Sequence, residues 1–244
     1  MPTATPLLLL PGTLCNGRLF APMLDALGDP PAVIGDMTGA RNAPALAQRL
    51  LRQAPPVFSL LGFSLGGIVA MEMIAQAQDR IERLALISTT PRPDPPANAF
   101  ARRHALRRAR ENGIDSYTDE NWPLFVSPAR RGDVALKGLI GQMARETGLD
   151  GFADQTEVAI NRADSRPRLA SVRVPTLVLA GQHEQVCPLD AHREIADAID
   201  GAVFATVDAG HFAPLEQPDA VASHVRDWLA RSPDRLAEPQ RSRS

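Results

Sequence analysis

The sequence predicts an α/β protein in which a doubly wound, mostly parallel β-sheet carries an inserted all-helical cap. Short apolar runs alternate with stretches of helical periodicity over most of the 244 residues. Several runs are apolar without alternation, which is typical of strands buried on both faces of a parallel sheet. The alternation stops between Pro91 and Pro175, where only helical periodicity is found.

The strands and helices of the predicted sheet follow one another with short connections. The six predicted strands are Leu7–Leu10, Ala32–Ile34, Val57–Leu61, Leu84–Ile87, Thr176–Ala180 and Val203–Val207. The five helices predicted between and after them are Leu19–Leu27, Ala43–Gln53, Leu65–Gln78, Leu189–Ala198 and Pro218–Ala230. This order indicates a parallel sheet with helices on both faces.

The interrupted region begins with the proline-rich stretch 91–96, which cannot form a helix or a central strand. Four helices are predicted after it: Ala97–Asn112, Asp115–Val126, Asp133–Thr147 and Gly151–Arg162. Helices inserted between two parallel strands are expected to cover the carboxyl edge of the sheet, where ligands bind. We therefore predict a core formed by 1–92 and 173–231, a helical cap over 93–172 and a polar tail over 232–244.

The charge of the chain does not favour a polyanionic partner. A formal net charge of −2 and a pI near 6.2 give no reason to expect a nucleic acid or an anionic membrane as partner. Arginine is strongly preferred over lysine, since Lys137 is the sole lysine. We attribute this bias to composition. The arginines of Ala97–Asn112, Arg102 among them, are therefore predicted to form a solvated face in preference to a site for an anionic substrate.

The cysteines and the N-terminus indicate the compartment. Cys15 and Cys187 are too few for a disulfide framework and are expected to be small buried residues in a reducing compartment. No Cys/His spacing resembles a zinc site, so neither a metal nor a cofactor is predicted. The run Leu7–Leu10 is too short to cross a membrane and lacks a preceding basic segment. A soluble cytoplasmic protein is expected.

The most informative motif places Ser64 between Gly62 and Gly66, at the junction of a predicted strand and a predicted helix. A serine in such a turn is forced into a strained backbone conformation with its hydroxyl exposed, and the flanking positions need glycine because side chains there would collide with backbone. An ordinary turn without chemistry is the competing interpretation. The motif predicts a nucleophile.

A serine hydroxyl needs a base within hydrogen-bonding distance. His211 is favoured, because it follows the predicted strand Val203–Val207 and so lies at the same edge of the sheet as Ser64. His183 also follows a strand and is a weaker candidate. The helical histidines are expected to be solvated or structural; they are His104, His192 and His224.

The base needs a carboxylate to orient it. Glu184 follows the strand Thr176–Ala180 and is the predicted acid, with Asp94 as an alternative. Asp208 is too close to His211 in the chain. The order serine, acid, histidine is that of one hydrolase fold and differs from the orders of chymotrypsin and subtilisin.

These motifs resemble those of the α/β-hydrolase superfamily. The similarity covers Leu7 to Leu229 and rests on the elbow Gly62–Gly67, on the acid loop with Gly181, Glu184 and Pro188, and on Gly210-His211. The predicted cap resembles those of small carboxylesterases, of pimeloyl-carrier-protein-type esterases and of enol-lactonases. The superfamily usually has aspartate at the acid position, and many members have His-Gly where this chain has Pro11-Gly12-Thr13.

The resemblance implies an oxyanion hole and an activity. Two backbone N–H groups must face the developing oxyanion. Leu65 is predicted to supply one and Thr13 the other, with Leu14 as the alternative to Thr13. The resulting prediction is a serine hydrolase that cleaves a carboxylic ester, lactone or thioester of a small to medium substrate through an acyl-enzyme on Ser64. The alternatives are a C–C bond hydrolase or cofactorless perhydrolase with the same residues, and a non-catalytic ligand-binding protein.

Overall fold

A computed structural model describes residues 5–232 of the chain. The strands are β1 (Leu7–Leu10), β2 (Ala32–Ile34), β3 (Phe58–Phe63), β4 (Ile81–Ile87), β5 (Thr176–Gly181) and β6 (Val203–Val207). The helices are α1 (Ala21–Leu27), α2 (Ala43–Gln53), α3 (Leu65–Ala77), α4 (Pro96–Asn112), α5 (Asp115–Phe125), α6 (Val134–Ile160), α7 (Arg166–Leu169), α8 (Leu189–Ala198), α9 (Ala213–Glu216) and α10 (Pro218–Leu229).

The six strands form one sheet in the order β2-β1-β3-β4-β5-β6, and every neighbouring pair is parallel. All carboxyl ends therefore lie at the same edge. The loops after β1, β3, β5 and β6 all open at this edge. The predicted doubly wound parallel sheet is confirmed.

The side chains of the strands alternate between two apolar layers, as the two-residue period of a strand requires. In β1, Leu8 and Leu10 pack into the layer that includes α2, α3 and α8, whereas Leu7 and Leu9 pack into the layer that includes α1 and α10. Trp228 of α10 is 2% exposed and is among the largest side chains packed in the second layer. Burial on both faces explains why β1 is a continuous leucine run.

Four helices, α4 to α7, connect β4 to β5, and we refer to them as the inserted helices. The two helices predicted as Asp133–Thr147 and Gly151–Arg162 continue as α6, with a break at Gly148, where φ is +73° and ψ is 173°. A glycine is suited to that conformation because it has no Cβ.

The other differences from the predicted elements are small. The short helices α7 and α9 were not predicted, since four-residue segments carry too few apolar positions to show a period. Within residues 5–232, no helix has the length and apolarity needed to cross a membrane. The predicted polar tail, from Pro233 onward, lies outside the described residues.

Candidate active site

Ser64 lies in a sharp turn between β3 and α3. Its backbone has φ +53° and ψ −116°, a conformation that costs a residue with a side chain on the order of 1–3 kcal/mol. An added Cβ at Gly62 would overlap the carbonyl of Gly66, and one at Gly66 would overlap the carbonyl of Leu10. The turn is strained and closely packed, as its two glycines led us to expect.

His211 follows β6 and faces this turn. Its Nε2 lies 3.0 Å from Ser64 Oγ, and only 5% of its side chain is exposed. The rings of Phe63 and Phe212 lie 5.0 and 5.7 Å from the imidazole, measured between centroids. The apolar surroundings hold the imidazole in place and restrict the access of water to it.

Glu184 completes a chain of polar contacts. Its Oε2 lies 2.8 Å from His211 Nδ1, and its Oε1 accepts the backbone N–H groups of Val186 at 2.7 Å and Cys187 at 3.0 Å. Burial opposes ionisation of this carboxyl, but His211 and the two N–H groups outweigh it and lower its pKa. An ionised carboxylate can only accept, so His211 Nδ1 donates and Nε2 is free to accept the Ser64 hydroxyl proton.

The two other acids considered from the sequence form contacts with residues other than His211. Asp94 bonds Arg102 at 2.8 and 3.0 Å and contacts Arg162 at 2.9 Å. Burial would raise the pKa of Asp94, but the two arginines lower it. Asp208 lies 2.9 Å from the ring of His183. The structure therefore brings Glu184, and not Asp94, to His211.

The loop after β1 faces the same turn. Thr13 and Leu65 both line the cavity that contains Ser64. Leu65 is the first residue of α3, so its N–H has no acceptor in a preceding helical turn. The N–H of Leu14 instead donates to Gln155 Oε1 at 2.8 Å. Because that donor is occupied, the geometry favours Thr13 over Leu14 as the partner of Leu65.

Sequence reasoning missed two residues that hold the loops of the site. Gln155, from α6, is 1% exposed and fixes the loop after β1 through Leu14. Glu216 is 3% exposed and accepts the N–H of Gly210 at 2.9 Å and of Ser127 at 2.8 Å. Neither residue stands in a recognisable motif, because their partners are distant in the chain or are backbone groups.

His192 is buried and has a structural part. Its Nε2 accepts the N–H of Thr89 at 3.0 Å, and its Nδ1 donates to the carbonyl of Pro188 at 3.1 Å. Thr89 Oγ1 in turn donates to the carbonyl of Ser64 at 2.8 Å. Both ring nitrogens are thus engaged in the neutral form, and burial lowers the pKa of the imidazole. His192 supports the turn at Ser64 from behind.

The side chains of the remaining histidines and of the two cysteines take no part in this chain of contacts. His104 is exposed on α4, with its ring 6.1 Å from that of Phe100. Cys15 and Cys187 are buried free thiols, as predicted. Burial raises the pKa of Cys15 to about 12 and raises that of Cys187 as well. Both cysteines line the cavity at Ser64, but their raised pKa values keep the thiols protonated, so neither is suited to replace Ser64 as nucleophile.

Two adjoining cavities open at the site. A cavity of ≈ 110 Å³ is lined by Ser64 and His211 from the core, by Arg102 and Tyr117 from the inserted helices and by Arg162 from the loop between α6 and α7. A cavity of ≈ 650 Å³ continues beside it, and the two share Arg102, Tyr117 and other lining residues. Arg102 therefore does not belong to a uniformly solvated face. This corrects the expectation that was drawn from the high arginine content of the chain.

The aromatic and sulfur side chains of the inserted helices divide between cavity and core. Phe125 lines both cavities, whereas Trp122 and Met143 are buried in the apolar layer with α1 and α10. Across residues 5–232, no group of three or more His, Cys, Asp or Glu side chains is arranged to hold a metal ion.

The fold and the site can be compared with known proteins. The sequence pattern of the alpha/beta hydrolase fold matches residues 45–218, well over half of the chain. A pimeloyl-[acyl-carrier protein] methyl ester esterase of Chromobacterium violaceum is 24% identical over 193 residues, 77% of this chain and 73% of that protein.

Solved structures agree. A thermophilic esterase from Thermogutta terrifontis, with malate bound, superposes with a TM-score of 0.82 at 28% identity over 93% of this chain and 90% of that one. An enol-lactonase from Burkholderia xenovorans LB400 gives 0.83 at 26% identity over 93% and 92%. These similarities confirm the predicted family and the prediction of a hydrolase. The chain belongs to the alpha/beta hydrolase family.

Proposed function

We propose that the protein is a serine hydrolase that cleaves a carboxylic ester, lactone or thioester through an acyl-enzyme on Ser64. The observation that carries this proposal is the chain of contacts from Ser64 Oγ to His211 Nε2 at 3.0 Å and from His211 Nδ1 to Glu184 Oε2 at 2.8 Å. The names of related proteins, which include an esterase and an enol-lactonase, support an ester-type bond as the target.

In the proposed first half-reaction, Ser64 Oγ attacks the carbonyl carbon while its proton passes to His211 Nε2. Glu184 stabilises the imidazolium that forms and keeps the ring oriented. The backbone N–H groups of Thr13 and Leu65 would bind the developing oxyanion, each contributing about 2.7–4 kcal/mol to the transition state. Collapse of the tetrahedral intermediate transfers the proton from His211 to the leaving alcohol, thiol or enol.

In the second half-reaction, a water molecule gives a proton to His211 and attacks the acyl carbon. Collapse of this intermediate releases the carboxylic acid and returns the proton to Ser64 Oγ. The inserted helices would act as a cap that supplies much of the substrate-binding surface. This is supported by the cavity at Ser64, which is lined by residues of both the core and the insertion.

The nucleophile can be tested with a fluorophosphonate probe and a panel of p-nitrophenyl esters. Wild-type protein should be labelled, and Ser64→Ala should lose labelling and about 10⁴–10⁶-fold in kcat, because a serine hydrolase without its nucleophile retains only binding and oxyanion stabilisation. Folded wild-type protein that is not labelled would support a non-catalytic ligand-binding protein instead. Equal labelling of Ser64→Ala would place the nucleophile elsewhere.

The cytoplasmic location stays a prediction.

A further inference from the structure

The two arginines at the cavity share a single carboxylate. Arg102 bonds Asp94 through Nε and Nη2, and Arg162 contacts the same carboxylate through Nη1. The side chain of Asp94 is 1% exposed, that of Arg162 is 7% exposed and that of Arg102 is 36% exposed. Two cations and one anion leave one positive charge without a counter-charge inside the trio.

The positive members of the trio line the cavity, whereas the negative member does not. Arg102 and Arg162 are among the described residues that line the cavity of ≈ 110 Å³ around Ser64, and no aspartate or glutamate is among them. The carboxylate of Glu184 is occupied by His211 and two backbone N–H groups. A ligand at Ser64 would therefore meet guanidinium groups without a competing acid.

The guanidinium donors are only partly used. Each guanidinium carries five N–H donors in a planar fork that suits a carboxylate. Beyond Asp94, Arg162 donates Nε–H to the carbonyl of Arg92 at 2.8 Å and Nη1–H to that of Ala159 at 3.0 Å. These contacts hold Arg162 rigidly and leave donors in the pair for a further anion.

The energetics favour an anion at this place. Burial and the neighbouring charge of Arg102 lower the pKa of Arg162, although Asp94 opposes the shift. A buried cation that is incompletely neutralised gains from a second carboxylate, because the attraction is strong where water is largely excluded. A hydrogen bond to a charged group is also stronger than one between neutral groups.

The geometry points to a carboxylate subsite formed by Arg102 and Arg162 beside Ser64, so that the substrate is an ester or lactone whose acyl part carries a second, free carboxylate. This inference rests on the proposed function. Because one cavity of ≈ 110 Å³ contains both Ser64 and the arginines, the chain between the scissile carbonyl and the free carboxylate is short. Hemiesters of small dicarboxylic acids fit this description.

The test compares monomethyl glutarate with its carboxamide analogue, which has nearly the same shape but no charge. Wild-type protein should hydrolyse the carboxylate ester with at least a ~10-fold higher kcat/KM, since a charge-assisted hydrogen bond contributes this much or more. Arg102→Gln leaves Asp94 and Arg162 as an ion pair without net charge, so the ratio of the two kcat/KM values should fall to about one. Arg102→Lys keeps the charge but loses the planar guanidinium, so its ratio should lie between those of wild-type protein and Arg102→Gln.

Arg110→Gln is the matched control, because it removes the same charge from an exposed position of the same helix. It should keep both the preference and the activity of wild-type protein. Equal kcat/KM values of wild-type protein for the two esters would overturn the carboxylate subsite. The subsite would also be overturned if Arg102→Gln and Arg102→Lys lowered kcat/KM for the two esters by the same factor.

Binding to Ser64→Ala separates this inference from the proposed function. Calorimetry should show that Ser64→Ala binds monomethyl glutarate more tightly than the carboxamide, and that Arg102→Gln in the same background abolishes the difference. This result would support the subsite even if wild-type protein failed to hydrolyse either ester, an outcome that would count against the proposed reaction alone. Equal binding of the two compounds by Ser64→Ala would overturn the subsite while leaving the proposed reaction intact.

Discussion

The turn at Ser64 and the inserted helices are stabilised in different ways. Helix α3, which begins at the turn, buries nine of its 13 residues, whereas α4 of the insertion buries one of 17, Ala109. The turn is held by close approach of backbone to backbone at Gly62 and Gly66. Helix α4 is joined to its neighbours largely by ion pairs of long side chains, such as Arg103–Glu157, whereas α5 and α6 also bury Trp122 and Met143 in the apolar layer with α1 and α10.

This difference separates two tasks. Close backbone packing leaves little freedom, so the core can hold reacting groups within the small tolerances that catalysis requires. Exposed ion pairs each contribute only about 0–1 kcal/mol, so the exposed positions of α4 can change in sequence at little cost to the fold. We infer that the core determines the chemistry and the insertion determines which substrate reaches it.

The largest effect expected in this comparison distinguishes Glu184, in the loop after β5, from Asp94, in the segment that leads from β4 into the inserted helices. Glu184→Gln should reduce kcat/KM for a p-nitrophenyl ester about 10³–10⁴-fold, because the neutral amide no longer stabilises the imidazolium of His211. Asp94→Asn should reduce it far less, since Asp94 pairs with Arg102 and Arg162. Melting temperatures of both variants serve as the control for folding. The reverse ranking would assign the acid to Asp94.

A smaller effect contrasts two glycines. Gly66→Ala should destabilise the protein by more than about 2 kcal/mol, because its Cβ would overlap the carbonyl of Leu10 and a backbone shift is required. Gly138→Ala, at an exposed position of α6 with open space around it, should stabilise it by about 0.5–1 kcal/mol through helix propensity. Urea unfolding measures both changes. Similar effects of the two substitutions would contradict the distinction between the regions.

The smallest effect concerns the support behind Ser64. The pKa of His192 is lowered in the folded protein, so the stability contributed by the neutral ring is fully present above the unfolded value near 6.5 and is lost as pH falls below it. Glu184, whose pKa is lowered from the ordinary value of a glutamate, loses its contribution only at more acidic pH. Urea unfolding at pH 7.5 and pH 5 should show wild-type protein weakened at the lower pH and His192→Gln weakened less. An equal loss in both proteins would rule out His192 as the cause.

The two regions also differ in how well the sequence predicts them. The turn at Ser64 is predictable because its constraint is local, and three residues at fixed spacing specify it. The pairing of Arg102 with Asp94 is harder to predict from the sequence, because the chain is rich in arginine and nothing in the sequence distinguishes the few arginines that line a cavity. The contact of Arg162 with Asp94 joins positions 68 residues apart and leaves no local pattern.

The link between Gln155 and Leu14 has a consequence for exchanging parts between related proteins. Gln155 belongs to α6, yet its side-chain oxygen holds the loop after β1 at 2.8 Å. An insertion transplanted from another member of the family must therefore bring a hydrogen-bond acceptor to this place. Otherwise the loop that carries Thr13 loses a stabilising hydrogen bond although none of its own residues has been altered. In recombination experiments, α6 and the loop after β1 should therefore be taken from the same parent protein.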